Sequence, residues 1–349
     1  MYKVIQWATG NVGMASLRSI LARPDFQLMG CFVYNPDKSG QDAGEMAGTG
    51  KIGVLTTSNP DDIVAMEADC VVFNALGDRH APVVSEEHIC RLLASGKNVV
   101  STAITPHIHP EAMAPETRER IERACQEGGT SFFSTGINPG FTFDILPIAL
   151  SQVSERIDHI HCVELVDMST YSSRQVAYDM IGLGKPPEQD SAVGLAESSK
   201  NHAFYVAARI MEDAFGIAFD DVQVTMDTAV TDKPVECAWG VVEPGTVAAL
   251  RMRMQAFVKG TARATWDLIW RVTDDVAPDW PKGKSSWEVN IDGDPSMRCR
   301  FDMKAETQRT TSLLTSMAGV NAIPAVVRAS PGIKTRLDLP VIAGGRFGE

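Results

Sequence analysis

The chain has 349 residues, of which 44% are hydrophobic and 22% charged, and its formal net charge at pH 7 is −12. This length is sufficient for two domains, and the acidic balance argues against a nucleic-acid partner because no basic face can dominate such a field. No apolar window approaches the roughly 18 residues that a membrane span needs, so we expect no membrane partner.

Seven cysteines are scattered along the chain, and none has C-x-x-C spacing. This predicts reduced, mostly buried thiols and neither disulfides nor a zinc site. His159 and His161 lack a third partner nearby in sequence, so we expect no metal. The N-terminus enters a predicted strand at once, without the charged and apolar regions of a signal peptide, and we therefore expect a cytoplasmic protein.

The first 140 or so residues alternate between predicted strands and helices. The strands are 3–7, 27–34, 54–55, 68–74, 98–101 and 131–134. The helices are 12–23, one beginning near Pro60, 85–95 and 115–127. Repeated βα units of this kind predict an α/β, Rossmann-type parallel sheet, in which ligands bind beyond the carboxyl ends of the strands.

From about residue 157 the pattern changes to strands with few crossover helices. The predicted strands are 159–164, 222–228, 246–259, 262–272, 286–291 and 297–303, with a helix at 198–215. This predicts a second, α+β domain with an open, largely antiparallel sheet. The final helix, 311–329, is expected to pack back on the first domain. We therefore predict a dinucleotide-binding domain, 1–145 with 311–349, and a substrate domain, 146–310.

The turn after the first strand carries the clearest motif of the chain. It follows the glycine-rich dinucleotide fingerprint, except that Ala8 replaces the first glycine. Such a turn lets the backbone approach a pyrophosphate, and the following helix N-terminus offers free N–H groups. The alternative is an ordinary strand–turn–helix. The motif predicts cofactor binding by these residues: Thr9, Gly10, Asn11, Val12 and Gly13.

The end of the second strand bears on the choice of cofactor. NAD sites commonly place an acid there, but this chain has Tyr34 and Asn35. Lys38 can meet a 2′-phosphate as a point charge, although Asp37 beside it can turn inward, and Lys38 can equally be a solvated loop lysine. The sequence favours NADP(H), with NAD(H) possible. Further cofactor contacts are predicted at strand ends: Asn35, Lys38, Ala75, Leu76, Thr102, Asn138, Pro139 and Gly140.

Several stretches resemble the dihydrodipicolinate-reductase-like family, nearest its 2,4-diaminopentanoate dehydrogenase and native amine dehydrogenase group. The resemblance implies a dimeric, NAD(P)-dependent enzyme that moves hydride between C4 of nicotinamide and an imine or carbonyl carbon. It also places the 136–140 loop near the nicotinamide, the Ser-Thr-Tyr stretch at 169–171 in the substrate pocket, and the dimer contacts in domain 146–310. The matching stretches are 4–13, 136–147, 167–171, 182–187, 269–280, 293–297 and 320–324.

The chain departs from its amine-forming relatives after the fifth strand. Those relatives carry a glutamate there, in a context like S-T-x-E-E, whereas Ile104 and Thr105 occupy these positions here. A cationic amine or iminium then lacks its counter-charge, and an unpaired buried charge is costly. Amine chemistry and plain carbonyl reduction both remain open, and so does a non-catalytic dinucleotide-binding protein.

Three side chains are candidates for the proton transfer that accompanies hydride transfer. Tyr171 can donate its hydroxyl, His107 can protonate an alkoxide near neutral pH, and Thr105 stands where the acid is expected. The alternatives are a half-buried sheet tyrosine for Tyr171 and a polar surface loop around His107. The small-molecule substrate is expected to contact Ile104, Phe141, Met168, Thr170 and His202, although a packing role for His202 is the alternative.

Overall fold

The computed structural model describes residues 1–76, 82–189, 205–304 and 310–345. The chain divides into two compact units, the first comprising Met1–Phe141 and Arg309–Glu349 and the second Thr142–Gln308. His202 and the beginning of the predicted helix 198–215 lie outside the described residues.

The strands and helices of the described residues are numbered in chain order. The strands are β1 Tyr2–Trp7, β2 Phe26–Phe32, β3 Thr56–Thr57, β4 Cys70–Phe73, β5 Asn98–Ser101, β6 Ser131–Ser134, β7 Arg156–Asp167, β8 Asp221–Val230, β9 Val235–Cys237, β10 Gly240–Val242, β11 Val247–Val258, β12 Thr261–Arg271, β13 Ser286–Asp294, β14 Met297–Asp302 and β15 Gly332–Lys334. The helices are α1 Asn11–Leu21, α2 Ala43–Ala47, α3 Pro60–Ala65, α4 Pro82–Ala94, α5 Pro115–Gly128, α6 Ile145–Ser151, α7 Tyr205–Phe215, α8 Thr310–Val320 and α9 Ile323–Arg328.

The first unit contains a parallel sheet in the order β15-β6-β5-β4-β1-β2-β3. Its central strands are continuous buried runs, Cys-Val-Val-Phe in β4 and Ser-Phe-Phe-Ser in β6, because helices cover both faces. The predicted Rossmann-type fold is confirmed. The short strand lies at Thr56–Thr57, slightly beyond the predicted position, and β15 was not predicted.

The predicted helix 311–329 is interrupted in the structure. It forms α8 and α9, with Pro324 in the first turn of α9, where a missing N–H costs no hydrogen bond. The span Thr310–Arg328 has a mean hydropathy of 1.3 over an 18-residue window, so the expectation that no window is long and apolar enough for a membrane is wrong. Val320, Ile323 and Val326 are nevertheless fully buried in the core of the first unit, as in a core helix.

The second unit contains a sheet in the order β14-β13-β7-β12-β11-β8. Only the β7–β12 pair among these neighbours is parallel, so the predicted open, largely antiparallel sheet is confirmed. One face packs on the unit's apolar core, where Trp266 and Leu268 are fully buried. Helix α6, the hairpin of β9 and β10, and a π-helical segment at Gln175–Ile181 were not predicted, since each is short.

The opposite face of this sheet carries an ion-pair cluster centred on Asp267. This carboxylate is 1% exposed and accepts hydrogen bonds from Arg253 Nε (2.8 Å) and Nη2 (2.7 Å), with His161 Nε2 2.8 Å away. Burial alone would raise the pKa of Asp267, but the hydrogen bonds from Arg253 and His161 outweigh it and lower the pKa to about 2. The charge is therefore paired as well as buried.

Candidate cofactor site and active site

The turn between β1 and α1 is held by one buried amide. Gln6 Nε2 donates to the backbone oxygens of Trp7 (3.1 Å) and Ala8 (2.9 Å) and to Asn74 Oδ1 (2.9 Å) at the end of β4. Ala8 has φ = 75°, a left-handed conformation that explains why glycine usually stands there. A Cβ on Gly13 would lie 2.1 Å from the oxygen of Ala8, so only glycine allows this close approach of the helix to the turn.

Gly10 differs from Gly13 because the fold itself does not require a glycine there. Its φ of −71° and ψ of −172° suit any residue, and a Cβ built on it would meet nothing within 4 Å. It is the N-cap of α1, so its bare backbone lies at the positive end of the helix. This is the arrangement that lets a pyrophosphate come close to the main chain.

A cavity of about 490 Å³ opens beside this turn, within the usual size range of a ligand site. It lies at the carboxyl ends of β1, β2 and β4. Six of the predicted cofactor residues line it, namely Thr9, Gly10, Asn35, Lys38, Ala75 and Leu76. Five further residues that were not predicted as contacts also line it: Ala8, Tyr34, Asn74, Val84 and Ser85.

The end of β2 presents a lysine and no carboxylate to this cavity. Lys38 lines it, whereas Asp37 is exposed and is not among the lining residues. Asn35 Oδ1 accepts a hydrogen bond from the Asp37 backbone N–H (2.9 Å), which fixes the turn. Tyr34 Oη accepts from Trp7 Nε1 (3.1 Å), and burial raises the pKa of this phenol. The polar wall here is therefore neutral or positive.

The other predicted cofactor residues occupy neighbouring positions of the first unit. Asn11, Val12 and Gly13 lie in the first turn of α1 and do not line the cavity. Thr102 Oγ1 accepts from Asn74 Nδ2 (2.8 Å), which links the end of β5 to the cavity. Gly140 and Phe141 line a second cavity of about 260 Å³, and the peptide bond between Asn138 and Pro139 is cis.

The turn after β5 is buried. His107 is 2% exposed, its Nε2 lies 3.3 Å from Glu86 Oε1, and its ring contacts Phe132 edge-on. The hydrogen bond from His107 lowers the pKa of Glu86. The alternative of a polar surface loop is wrong, because His109 is also only 1% exposed. The same burial argues against His107 as a proton donor to substrate, since its ring faces a carboxylate and a phenylalanine.

Neither of the residues that replace the family glutamate supplies a charge. Ile104 is 4% exposed and packs in the core of the first unit. Thr105 begins the 3₁₀ turn Thr105–Ile108 and is partly exposed. The side chain of Ile104 therefore packs in the core and does not offer the predicted substrate contact, and the position presents one hydroxyl, that of Thr105.

The predicted substrate residues of the second unit lie around the end of β7. Asp167 Oδ1 caps the turn Met168–Thr170 by accepting from the backbone N–H (2.9 Å) and the hydroxyl (2.5 Å) of Ser169. Met168 is 3% exposed in the core of this unit, so its side chain packs there and does not offer an open pocket surface. Tyr171 follows the turn and is half-buried against the core of this unit, as the alternative interpretation expected, although it lies outside a strand; Thr170 is exposed.

Sequence reasoning missed two kinds of cavity residue. Asn74 and Tyr34 end predicted strands, so the strand-end rule was a signal that could have found them. Val84 and Ser85 belong to α4 and reach the cavity only through the packing of that helix, for which the sequence carries no signal.

Comparisons with known proteins agree with this geometry. Residues 141–345 match the family described as 2,4-diaminopentanoate dehydrogenase C-terminal domain, and residues 4–122 match dihydrodipicolinate reductase, N-terminus. An amine dehydrogenase of Streptomyces virginiae is 33% identical over 359 aligned positions, covering 100% of this chain and 99% of the relative. A 2,4-diaminopentanoate dehydrogenase of Acetoanaerobium sticklandii is 26% identical over 245, covering 70% and 67% respectively.

A solved structure shares the fold over almost the whole chain. The amine dehydrogenase of Mycobacterium smegmatis superposes with a TM-score of 0.76 at 18% sequence identity. The alignment covers 98% of this chain and 97% of that structure.

Proposed function

Since the chain belongs to the dihydrodipicolinate-reductase-like family, in its group of 2,4-diaminopentanoate and amine dehydrogenases, we propose that it interconverts small amines and their carbonyl compounds. The chain is an NAD(P)-dependent oxidoreductase. The proposed reaction is reductive amination of a small ketone or aldehyde, or its reverse, oxidative deamination. The bound nicotinamide supplies or accepts the hydride, and the protein orients the substrate and moves one proton.

One observation carries the cofactor part of this proposal. The cavity beside the first turn joins the carboxyl ends of three parallel strands to the N-terminus of α1, and Gly10 leaves its backbone bare there although the fold does not need a glycine. A dinucleotide pyrophosphate is the ligand that uses both features.

We further propose that NADP(H) is the preferred cofactor. Lys38 lines the cavity at the end of β2, and Asp37 does not. A lysine can meet a 2′-phosphate as a point charge, whereas among the described residues no acid lines the cavity to accept a ribose 2′-hydroxyl.

The second candidate function is carbonyl reduction without amine activity. Its support is the turn after β5, where the buried Ile104 and the partly exposed Thr105 provide no counter-charge for an ammonium or iminium group. A neutral carbonyl does not need that charge, so this turn suits a ketone or aldehyde at least as well.

A single assay separates the two functions. NADPH oxidation is followed with a panel of small aldehydes and ketones, with and without concentrated ammonia, and the products are identified by chromatography. Amine products that appear only with ammonia support the first proposal. Alcohol products at a rate independent of ammonia replace it with the second. Tight NADPH binding without turnover on either panel indicates a non-catalytic dinucleotide-binding protein.

We propose Tyr171 as the proton donor in preference to His107. The phenol is half-buried beside the Asp167-capped turn, whereas the His107 ring is enclosed against Glu86. Tyr171→Phe is expected to lower kcat about 100-fold or more, as for loss of a general acid. His107→Gln is expected to lower the melting temperature and leave kcat within about threefold. The opposite pattern would return the role to His107.

The remaining assignments are also proposals. We propose that the first unit binds the dinucleotide, that the second binds the substrate and forms a homodimer, and that the protein works in the cytoplasm. Sedimentation equilibrium tests the dimer, since a monomer at micromolar concentration contradicts it. Fractionation of the source cells tests the location.

A further inference from the structure

The second unit contains a cavity that neither the cofactor nor the substrate proposal uses. It has a volume of about 240 Å³ and lies between helix α7 with the loop that follows it and one end of the internal strands β7, β12 and β11. Its lining residues are Ile157, Asp158, Ile160, Met211, Phe215, Ile217, Phe219, Val258, Arg263 and Ala264.

The cavity lies at the opposite end of the strands from the substrate segment. β7 and β12 run parallel, with Ile160 beside Ala264 at the cavity and Asp167 beside Arg271 at the other end. Seven residues separate these pairs along each strand, which at about 3.3 Å per residue is roughly 23 Å. A ligand here is therefore separate from one that contacts Tyr171.

The space of the cavity is left by a small side chain on β12. Trp266 and Leu268 fill the core on the same face of that strand, whereas Ala264, 2% exposed, leaves space above it. Ile217 is 39% exposed at the cavity, an apolar side chain that gains contact when the space is occupied.

The charged residues that line the cavity are one carboxylate, Asp158, and one guanidinium, Arg263. Asp158 accepts three hydrogen bonds from Arg156 of 3.1 to 3.2 Å, and these lower the pKa of its carboxyl. Arg263 is exposed, and its Nη1 donates a hydrogen bond to the backbone oxygen of Asp158 (3.0 Å). Within the described part of the chain, no carboxylate forms a salt bridge with Arg263. Since Arg156 already engages the Asp158 carboxylate, Arg263 is the lining residue whose guanidinium is available to a ligand carboxylate.

We propose that this cavity is a second ligand site, which binds a small aliphatic monocarboxylate with its chain in the cavity and its carboxylate on Arg263. A dry cavity of about 150 Å³ holds benzene, so about 240 Å³ corresponds to about ten non-hydrogen atoms, the size of octanoate. Arginine suits the head group because its planar donors match a carboxylate.

Titration calorimetry and thermal unfolding of the full chain test this with octanoate, octan-1-ol, octylamine and butyrate. Octanoate is expected to bind and to raise the melting temperature. Butyrate is expected to bind at least about tenfold more weakly because it buries less chain, and octan-1-ol at least about tenfold more weakly because it lacks the charge-assisted hydrogen bond. Equal binding of octan-1-ol and octanoate, or no heat and no thermal shift with octanoate, would overturn the proposal.

Variants locate the site. Arg263→Gln is expected to weaken octanoate binding about tenfold, whereas Arg298→Gln, an exposed arginine on β14 away from the cavity, leaves it unchanged. Ala264→Leu fills the cavity and removes binding. Because that variant can also perturb folding, Arg263→Glu is measured beside it, and exchange of the preference from octanoate to octylamine is expected there. Retention of octanoate binding by both Arg263 variants refutes the site. As a control, the affinity for NADPH is expected to be unchanged in every variant.

Discussion

Alanine substitutions at Gly10 and Gly13 distinguish a glycine that we propose for cofactor binding from a glycine that the fold requires. At Gly10, the new Cβ meets no atom within 4 Å and the backbone angles suit alanine, so no clash opposes folding. Alanine is a poorer N-cap than glycine by about 0.5–1 kcal/mol, and the lower entropy of its unfolded chain offsets about 0.4–1 kcal/mol of this. The free energy of unfolding is therefore expected to change by less than about 0.5 kcal/mol.

In the proposed binding mode, the same Cβ stands where the pyrophosphate approaches the main chain. Loss of one charge-assisted hydrogen bond from the backbone to the phosphate costs about 1.5–3 kcal/mol, which weakens the Kd for NADPH about 10- to 100-fold. Titration calorimetry measures the affinity, and urea unfolding without cofactor measures the stability.

Gly13→Ala is the matched control. Its Cβ would lie 2.1 Å from the Ala8 oxygen, a backbone atom that cannot move aside cheaply. This variant is expected to lose about 1–3 kcal/mol of stability or more. If Gly10→Ala binds NADPH like the wild type, or if it unfolds as readily as Gly13→Ala, the assignment of Gly10 to the pyrophosphate is wrong.

Three further predictions concern single side chains. Lys38→Ala is expected to weaken NADPH binding about tenfold and NADH binding less than twofold in calorimetry, and equal losses would remove the 2′-phosphate role. Ala8→Gly relieves the φ of 75° and is expected to raise the free energy of urea unfolding by about 1 kcal/mol, whereas a decrease contradicts the strain argument. The lowered pKa of Asp267, from 3.8 to about 2, contributes about 2 kcal/mol of stability that is present above about pH 4 and is lost as the pH falls towards 2. Asp267→Asn, which leaves Arg253 and His161 without their carboxylate, is expected to remove that part of the acid dependence in urea unfolding between pH 2 and 5, and an unchanged pH profile would refute it.

The sequence by itself determined the sheets and the position of the first turn. Buried runs such as Cys70–Phe73 identify parallel strands because helices cover both faces, and alternation in the second half identifies strands with one core face. Both signals are local, since they depend on the side-chain period of a strand. The departure at Ile104 and Thr105 was also readable from the sequence, because it concerns residue type alone.

Only the tertiary structure decided which strand ends share a cavity and which side chains are enclosed. Val84 and Ser85 reach the cavity because α4 packs beside β5, and His107 is buried where it meets Glu86 of that same helix. The different roles of Gly10 and Gly13 likewise depend on what lies around each Cβ position. These contacts join residues far apart in the chain, and no local periodicity encodes them.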